Sequence, residues 1–312
     1  MLVTGANGFV GRALCESLSE RGREFRPVVR ARREPIGGAI PFSIGDIGAH
    51  TDWSSAVDSV SEVVHLASRV HVMKESGGDV AALYREANTL GTLRLAQQAA
   101  AAGVKRFVFV SSVKVNGEER DEAYSEDDQP APIGPYAISK RDAEFGLWEI
   151  ASRSGMEVVV IRPPLVYGPG VKANFLSMMR WLHRGVPLPF GTIKNKRSLV
   201  AIGNLVDFIV TCVDHPAAAN QTFLVSDWED LSTADLLVRL ASALEVKARL
   251  IDVPVPVLSL AATMLGQGEL LRRLCGSLRV DSTKASRLLQ WSPPLSVDDG
   301  LKAAADHYRA SV

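Results

Sequence analysis

Short apolar runs alternate with longer amphipathic stretches along the first two thirds of the chain. Leu2 and Val3 form a strand stub, and the runs over residues 25–29, 39–43, 62–67, 106–112, 157–162 and 221–225 predict six further strands. Their near-continuous apolar character, rather than strict alternation, is that of strands buried on both faces. Between them, residues 12–21 carry Ala13, Leu14 and Leu18 at helical spacing, and helices are predicted over 79–102 and 136–152. Alternating strands and helices predict an α/β fold, a doubly wound parallel sheet covered by helices on both sides. Residues 113–135 break the pattern: Glu118, Glu119, Asp121, Glu122, Glu126, Asp127 and Asp128 lie there among prolines. That stretch reads as a solvated loop at the carboxyl edge of the sheet, its acidity no more than a wet face, with no ligand assigned.

The junction of the first strand and helix carries the first chemistry. Gly5, Gly8 and Gly11 are spaced G-x-x-G-x-x-G in a strand–turn–helix context. Glycines there permit a tight turn, close approach of backbone N–H to a pyrophosphate, and tight packing of helix on strand. The phosphates would face the positive end of the helix. Folds that prefer NAD place a carboxylate at the end of strand two for the ribose 2′-hydroxyl. This chain has Arg30 there, followed by Arg32 and Arg33, with Arg12 after the third glycine. A guanidinium can hold a 2′-phosphate bidentately, so NADP(H) is favoured and NAD(H) remains possible; the alternative is a basic surface loop. Asp46, after strand three, is a candidate acceptor for the adenine amino group.

Tyr136-Ala-Ile-Ser-Lys140 places a phenol and an ammonium four residues apart, on one face of a helix. Bringing a tyrosine from its usual value near ~10 toward neutrality takes roughly 4 kcal/mol of preferential anion stabilisation. A neighbouring ammonium and a positive nicotinamide have the right sign to supply it. Tyr136 could then exchange a proton with a substrate hydroxyl while hydride moves to or from the nicotinamide. Ser111 and Ser112 end strand five at the same edge, and Ser112 is the candidate to hold the reacting oxygen.

Lys plus Arg and Asp plus Glu both number 35, so the formal charge is zero and nothing favours nucleic-acid or membrane-surface binding. Cys15, Cys212 and Cys275 match no disulfide or metal spacing, no metal is expected, and a reducing cytoplasmic compartment is the default. No charged-then-apolar leader precedes the glycine turn. The most apolar run, residues 253–265, is too short to span a bilayer and reads as a buried helix.

The glycine turn, Val64-His65-Leu66-Ala67, Asn88 with Gly91-Thr92, Ser112, Tyr136-x-x-x-Lys140 and Arg162-Pro163-Pro164-Leu165-Val166-Tyr167-Gly168-Pro169-Gly170 follow one another as in extended short-chain dehydrogenase/reductases. Within these the chain resembles the nucleotide-sugar epimerase/dehydratase family, from Met1 to about Trp291. The resemblance implies a Rossmann domain over 1–163 and 198–226 and a nucleotide-sugar lobe over 164–197 and 227–312. It implies a catalytic set of Ser112, Tyr136 and Lys140, and a homodimer through helices 79–102 and 136–152. The expected cofactor contacts are Gly5, Asn7, Gly8, Phe9, Val10, Gly11 and Arg12 at the turn, with Arg30, Asp46 and Ile47. Leu66, Ala67 and Ser68 follow strand four, and Tyr136, Lys140, Pro163 and Val166 complete the set.

For the substrate, a UDP-type sugar, Asn174 matches the family's diphosphate-holding asparagine and Arg197 its arginine. Phe190 would contact the base, unless it is simply core, and Arg197 could instead form a surface ion pair. Arg272 or Arg273 is a second phosphate candidate. Val113-Lys114 stands where dehydratases carry an Asp-Glu pair, which disfavours dehydration. The stretch 111–118, with 68–73, is similar to a subgroup labelled UDP-glucose 4-epimerase-like, which includes 4-ketosugar reductases. His65 and His71 read as structural. The expected activity is NADPH-dependent reduction of a UDP-4-keto-sugar. The alternatives are UDP-sugar 4-epimerisation, a non-catalytic NADP(H) sensor, and a reductase of small apolar ketones.

Overall fold

The computed structural model describes residues 1–31, 34–70, 79–264, 266 and 268–312, without the side chains of 269 and 270. Arg32 and Arg33 beside Arg30, and residues 71–73, lie outside the described residues. Twelve strands run in chain order: β1 (Leu2–Thr4), β2 (Arg26–Val29), β3 (Phe42–Ser43), β4 (Glu62–His65), β5 (Arg106–Val110), β6 (Ala123–Tyr124), β7 (Glu157–Arg162), β8 (Leu165–Tyr167), β9 (Arg197–Ala201), β10 (Gln221–Leu224), β11 (Asp230–Leu231) and β12 (Arg279–Val280). Seven form the main sheet in the order β10-β7-β5-β4-β1-β2-β3, every pair parallel. The chain builds outward from β1 in both directions, so a crevice opens at the carboxyl ends of β1 and β4, where open α/β sheets bind ligands.

The strands are buried on both faces, as their unbroken apolar runs require. Val3, Val64, Val108, Val159 and Ile161 face a core shared with α1 (Phe9–Glu20) and a later helix over 202–214. Leu2, Val63, Phe107, Phe109, Val158 and Val160 face the opposite core, completed by Leu95, Ala96, Ala143 and Leu147. A third apolar cluster, with Tyr167, Phe175, Met179, Leu237 and Leu301, lies beside the smaller sheet β11-β9-β8. Among the described residues no helix is long and apolar enough to cross a membrane.

Several elements differ from the sequence reading. Strand three shrinks to Phe42–Ser43, because Ile36 and Ala39 bridge each other in a tight turn and Ile40 is left exposed. The strands expected over 62–67 and 106–112 stop at His65 and Val110. After the short α2 (Ser54–Val57), the helix expected over 79–102 is capped by the Asp79 side chain and divides into α3 (Val80–Tyr84), a π-helical turn over Arg85–Leu90, and α4 (Gly91–Ala101). Helix α5 (Gly134–Ser154) starts earlier than expected, with Pro135 in its first turn, and stops at Gly155 in the left-handed region. Further on come α6 (Ala173–His183), α7 (Ile202–Asp214), α8 (Thr233–Ala243), α9 (Val255–Met264), α10 (Gly268–Cys275), α11 (Thr283–Leu289) and α12 (Val297–Ala310). The apolar run at α9 is not the buried helix expected: only Leu258 is buried, and Val257, Leu260 and Met264 face solvent.

Candidate active site

Gly5 adopts φ +64°, and a Cβ there would sit 2.7 Å from the Ala67 nitrogen. A Cβ on Gly11 would run into the Gly5 carbonyl, so α1 can lie this close to the turn only with glycine. Gly8 caps α1 in extended conformation, and its N–H donates to the Gly5 carbonyl at 2.8 Å. In front of the turn lies a cavity of about 670 Å³. Gly5, Asn7 and Gly8 form its floor; Arg30, Asp46 and Ile47 line one side and Leu66, Ala67 and Ser68 another. A Gly-lined cradle at a helix N-terminus fits a pyrophosphate. The other expected cofactor residues lie outside this cavity wall. Phe9 and Val10 pack on the core, Gly11 is buried under the turn, and the Arg12 Nε donates to the Asn7 carbonyl at 3.3 Å. Val166 is part-buried against the same core, and the Pro163 carbonyl accepts from the Val113 N–H at 3.0 Å.

Arg30 is not a lone cation. Its Nε lies 2.9 Å from Asp46 Oδ1, so the residue expected to hold a 2′-phosphate and the one expected to hold adenine are paired with each other, both well exposed.

Beyond the cavity, at the ends of β5 and α5, the structure brings Ser112, Tyr136 and Lys140 together. The Ser112 hydroxyl accepts from the Lys114 N–H at 3.3 Å and is hydrogen-bonded to the Tyr136 phenol. Lys140 Nζ donates to the Val110 carbonyl at 2.9 Å and lies 4.5 Å from the Phe109 ring centroid. Without a cofactor the protein alone does not acidify the phenol. Burial pushes Tyr136 up to about 12, with the Ser112 bond opposing and Tyr84 adding. Burial also pulls Lys140 down to about 7, with Glu144 opposing. Desolvation outweighs pairing because Lys140 spends its hydrogen bond on a carbonyl. Next to them the buried Ser111 hydroxyl has no hydrogen-bond partner, an opening for a polar group of a bound molecule.

Supporting residues were harder to find in the sequence. Asn88, in the π-helical turn, accepts from the Arg69 N–H at 2.7 Å and donates to the Arg69 carbonyl at 3.0 Å and to Ser139 Oγ at 3.1 Å. It thereby ties the loop after β4 to α5. Glu144, one turn beyond Lys140, forms a buried pair with Arg162 at 2.5 Å, and Arg162 Nη1 donates to Asn116 at 3.1 Å. A charged residue ending the apolar run 157–161 was the available signal, since a buried guanidinium needs a partner.

The model of the NAD dependent epimerase/dehydratase family matches residues 1–226. The chain belongs to this family. It is 46% identical to a UDP-glucose 4-epimerase of Vibrio cholerae over 312 residues, covering 99% of this chain and 95% of the relative. It is 25% identical to a GDP-6-deoxy-D-mannose reductase of Pseudomonas aeruginosa over 324 residues, covering 100% and 98%. Among solved structures it is similar to MoeE5 in complex with UDP-glucuronic acid and NAD, at 25% identity and TM-score 0.78, covering 100% and 99% of the two chains. The chain is thus an extended short-chain dehydrogenase/reductase with a Rossmann-type parallel sheet.

The residues that family resemblance assigned to the sugar diphosphate are placed unevenly. Asn174 is exposed in the first turn of α6, after Ala173 at φ +53°. Phe190 is part-buried against the third apolar cluster, which accommodates core packing and a ligand contact alike. Among the described residues Arg197 is not in a surface ion pair: its Nη1 donates to the Arg273 carbonyl at 2.8 Å and the Gly276 carbonyl at 2.9 Å, at the end of α10. Burial lowers its pKa below the ordinary arginine value, with Glu119 opposing.

The loop over 113–135 is more than a wet face. Lys114 pairs with Glu118 at 2.8 Å, Arg120 with Asp128 at 2.9 Å, and Glu126 accepts from the Leu224 N–H at 2.7 Å. Glu118 and Asp128 brace the loop internally, and Glu126 ties it to the end of β10, which only folding brings near. His65 is fully buried, bridging Thr4 Oγ1 at 2.7 Å and Thr92 Oγ1 at 2.9 Å.

Proposed function

We propose that the chain is a UDP-hexose 4-epimerase that uses NAD. The carrying observation is the 46% identity across the whole chain to a UDP-glucose 4-epimerase, joined to a Ser112–Tyr136–Lys140 cluster beside the glycine cradle. The reductase reading drew its weight from Arg30 as a 2′-phosphate ligand. With Asp46 on that guanidinium, and NAD in the MoeE5 complex, epimerisation with NAD has the better support.

The dinucleotide would lie on Gly5, Gly8, Ala67 and Ser68, with Arg30 and Asp46 at its adenosine end. Bound there, it supplies a hydride acceptor and donor at sugar C4. Ser112 holds the C4 oxygen by a hydrogen bond. Tyr136 takes the hydroxyl proton as C4 is oxidised and returns it once the ketone has turned its other face. The phenol titrates high in its dry surroundings, so anion stabilisation must come with the ligands: a positive ring nearby and Lys140, which is ready to carry charge near neutral pH. Asn174 and Arg197 are proposed at the diphosphate and Phe190 at the base; the Arg197 bonds to the end of α10 make that helix part of the same wall.

Incubation of purified protein with UDP-glucose and catalytic NAD should yield UDP-galactose without net change at 340 nm, read by anion-exchange chromatography. Oxidation of NADPH only on addition of a UDP-4-keto-6-deoxy-sugar, with no epimer formed, would overturn the reading in favour of the reductase.

A further inference from the structure

The ion pair directly after Ser112 is unused in the chemistry above. Residues Val113–Val115 form a short 3₁₀ turn capped by the Ser112 hydroxyl, the same group that meets the Tyr136 phenol. From this turn Lys114 Nζ reaches Glu118 at 2.8 Å, with the side chains 29% and 21% exposed. Burial disfavours the Glu118 charge, but the Lys114 bond and the fields of Lys114, Arg273 and Arg272 outweigh it and hold the carboxyl below its usual range. The loop is seated on the far wall: the Arg120 N–H donates to the Ser277 carbonyl at 3.1 Å, and a Cβ on Gly276 would come 2.8 Å from Glu119 Cδ. The pair therefore lies between Ser112, two residues before Lys114, and the end of α10, whose Arg272 and Arg273 act on Glu118 and whose last carbonyls hold Arg197.

A sugar with its C4 oxygen on Ser112 and its diphosphate toward those arginines would pass this pair. An ammonium fixed to a carboxylate presents a donor and an acceptor side by side, which suits neutral hydroxyls. A carboxylate on the sugar would instead be brought against Glu118, and like charges at short range discriminate strongly. Resting on the nucleotide-sugar reading, we propose that Glu118, fixed in place by Lys114, selects neutral UDP-hexoses over UDP-hexuronates. The two residues pull in opposite directions: Glu118 repels an acidic sugar and Lys114 attracts it.

The test is kcat/KM for UDP-glucose and for UDP-glucuronate, the latter measured as substrate or as competing inhibitor, with NAD affinity and thermal unfolding recorded for each variant. Glu118→Gln should raise the glucuronate-to-glucose ratio about tenfold, and Lys114→Met should lower it by a similar factor, a tenfold change being about 1.4 kcal/mol. A merely structural pair would shift both substrates together, so a ratio unmoved, or moved in one direction by both variants, overturns the proposal. Should Glu118→Gln or Lys114→Met fail to fold, Glu118→Ala or Lys114→Gln takes its place with the same expected direction, and a ratio left unmoved overturns the proposal. Wild-type protein that binds neither sugar overturns the nucleotide-sugar reading itself.

Discussion

His65 has both ring nitrogens hydrogen-bonded, to Thr4 and Thr92, and burial with the Lys140 charge pulls its pKa down to about 3. An unfolded histidine takes its proton near 6.5. On acidification the unfolded chain therefore protonates first, so the stability from neutral His65 is complete above about 6.5 and drains as pH falls toward 3. Between pH 7 and pH 5 that loss is about 2 kcal/mol. His65→Gln, which keeps a donor and an acceptor, should show a correspondingly smaller drop in urea-unfolding free energy between those values. At Tyr136 the prediction concerns turnover. Tyr136→Phe should bind NAD as the wild type does and lose 10²- to 10⁴-fold in kcat for UDP-glucose; undiminished kcat would remove the proton-transfer role. The spacing of Tyr136 and Lys140 could be read directly, because an i,i+4 pair shares a helix face wherever the helix lies. Their protonation could not, because desolvation depends on what covers them.

Helix α5 carries the reactive pair on one side and, on the other, two exposed apolar side chains flanking the Arg141–Asp142 ion pair. Ile138 is 40% and Phe145 57% exposed, seven positions apart and so on nearly the same face, with Leu83 of α3 also exposed. A homodimer that pairs these helices would cover them. Light scattering should then give twice the chain mass for the wild type and a single mass for the double variant Ile138→Asp, Phe145→Asp, with UDP-hexose turnover as the check on folding; a monomeric wild type would end the proposal. The helix over 79–102 shows the limit of periodicity. Its apolar spacing was legible, but its π-helical turn was not. That turn points Asn88 and Thr89 at the Arg69 loop and Ser139, partners that no local window contains.

At the scale of the whole molecule, Asp227, three residues past β10 of the main sheet, is bonded into the second sheet and α7. Its buried carboxylate accepts from Tyr167 Oη at 2.8 Å, from the Ala201 N–H at 2.9 Å and from Asn204 Nδ2 at 2.7 Å, joining β8, β9 and α7. Asp227→Ala leaves the Ala201 N–H without its acceptor and strips one from Asn204 and from Tyr167, which keep only the Leu295 and Val297 carbonyls. It should cost about 3 kcal/mol, read as a lower urea midpoint with NAD binding retained in the folded state. The alternation of strands and helices, the glycine turn and the Tyr–Lys spacing could be written down before any coordinates because each follows from near-neighbour rules: strand and helix periods, backbone freedom at glycine, one helical turn. The partners of Arg30, Arg197 and Glu118 could not. Arg197 ends on a carbonyl 76 positions away, Arg30 on a carboxylate from the next strand's loop, and Glu118 in the field of a distant helix. Long charged side chains reach any of several partners, and burial, a property of the assembled chain alone, picks among them and sets which groups keep their charge.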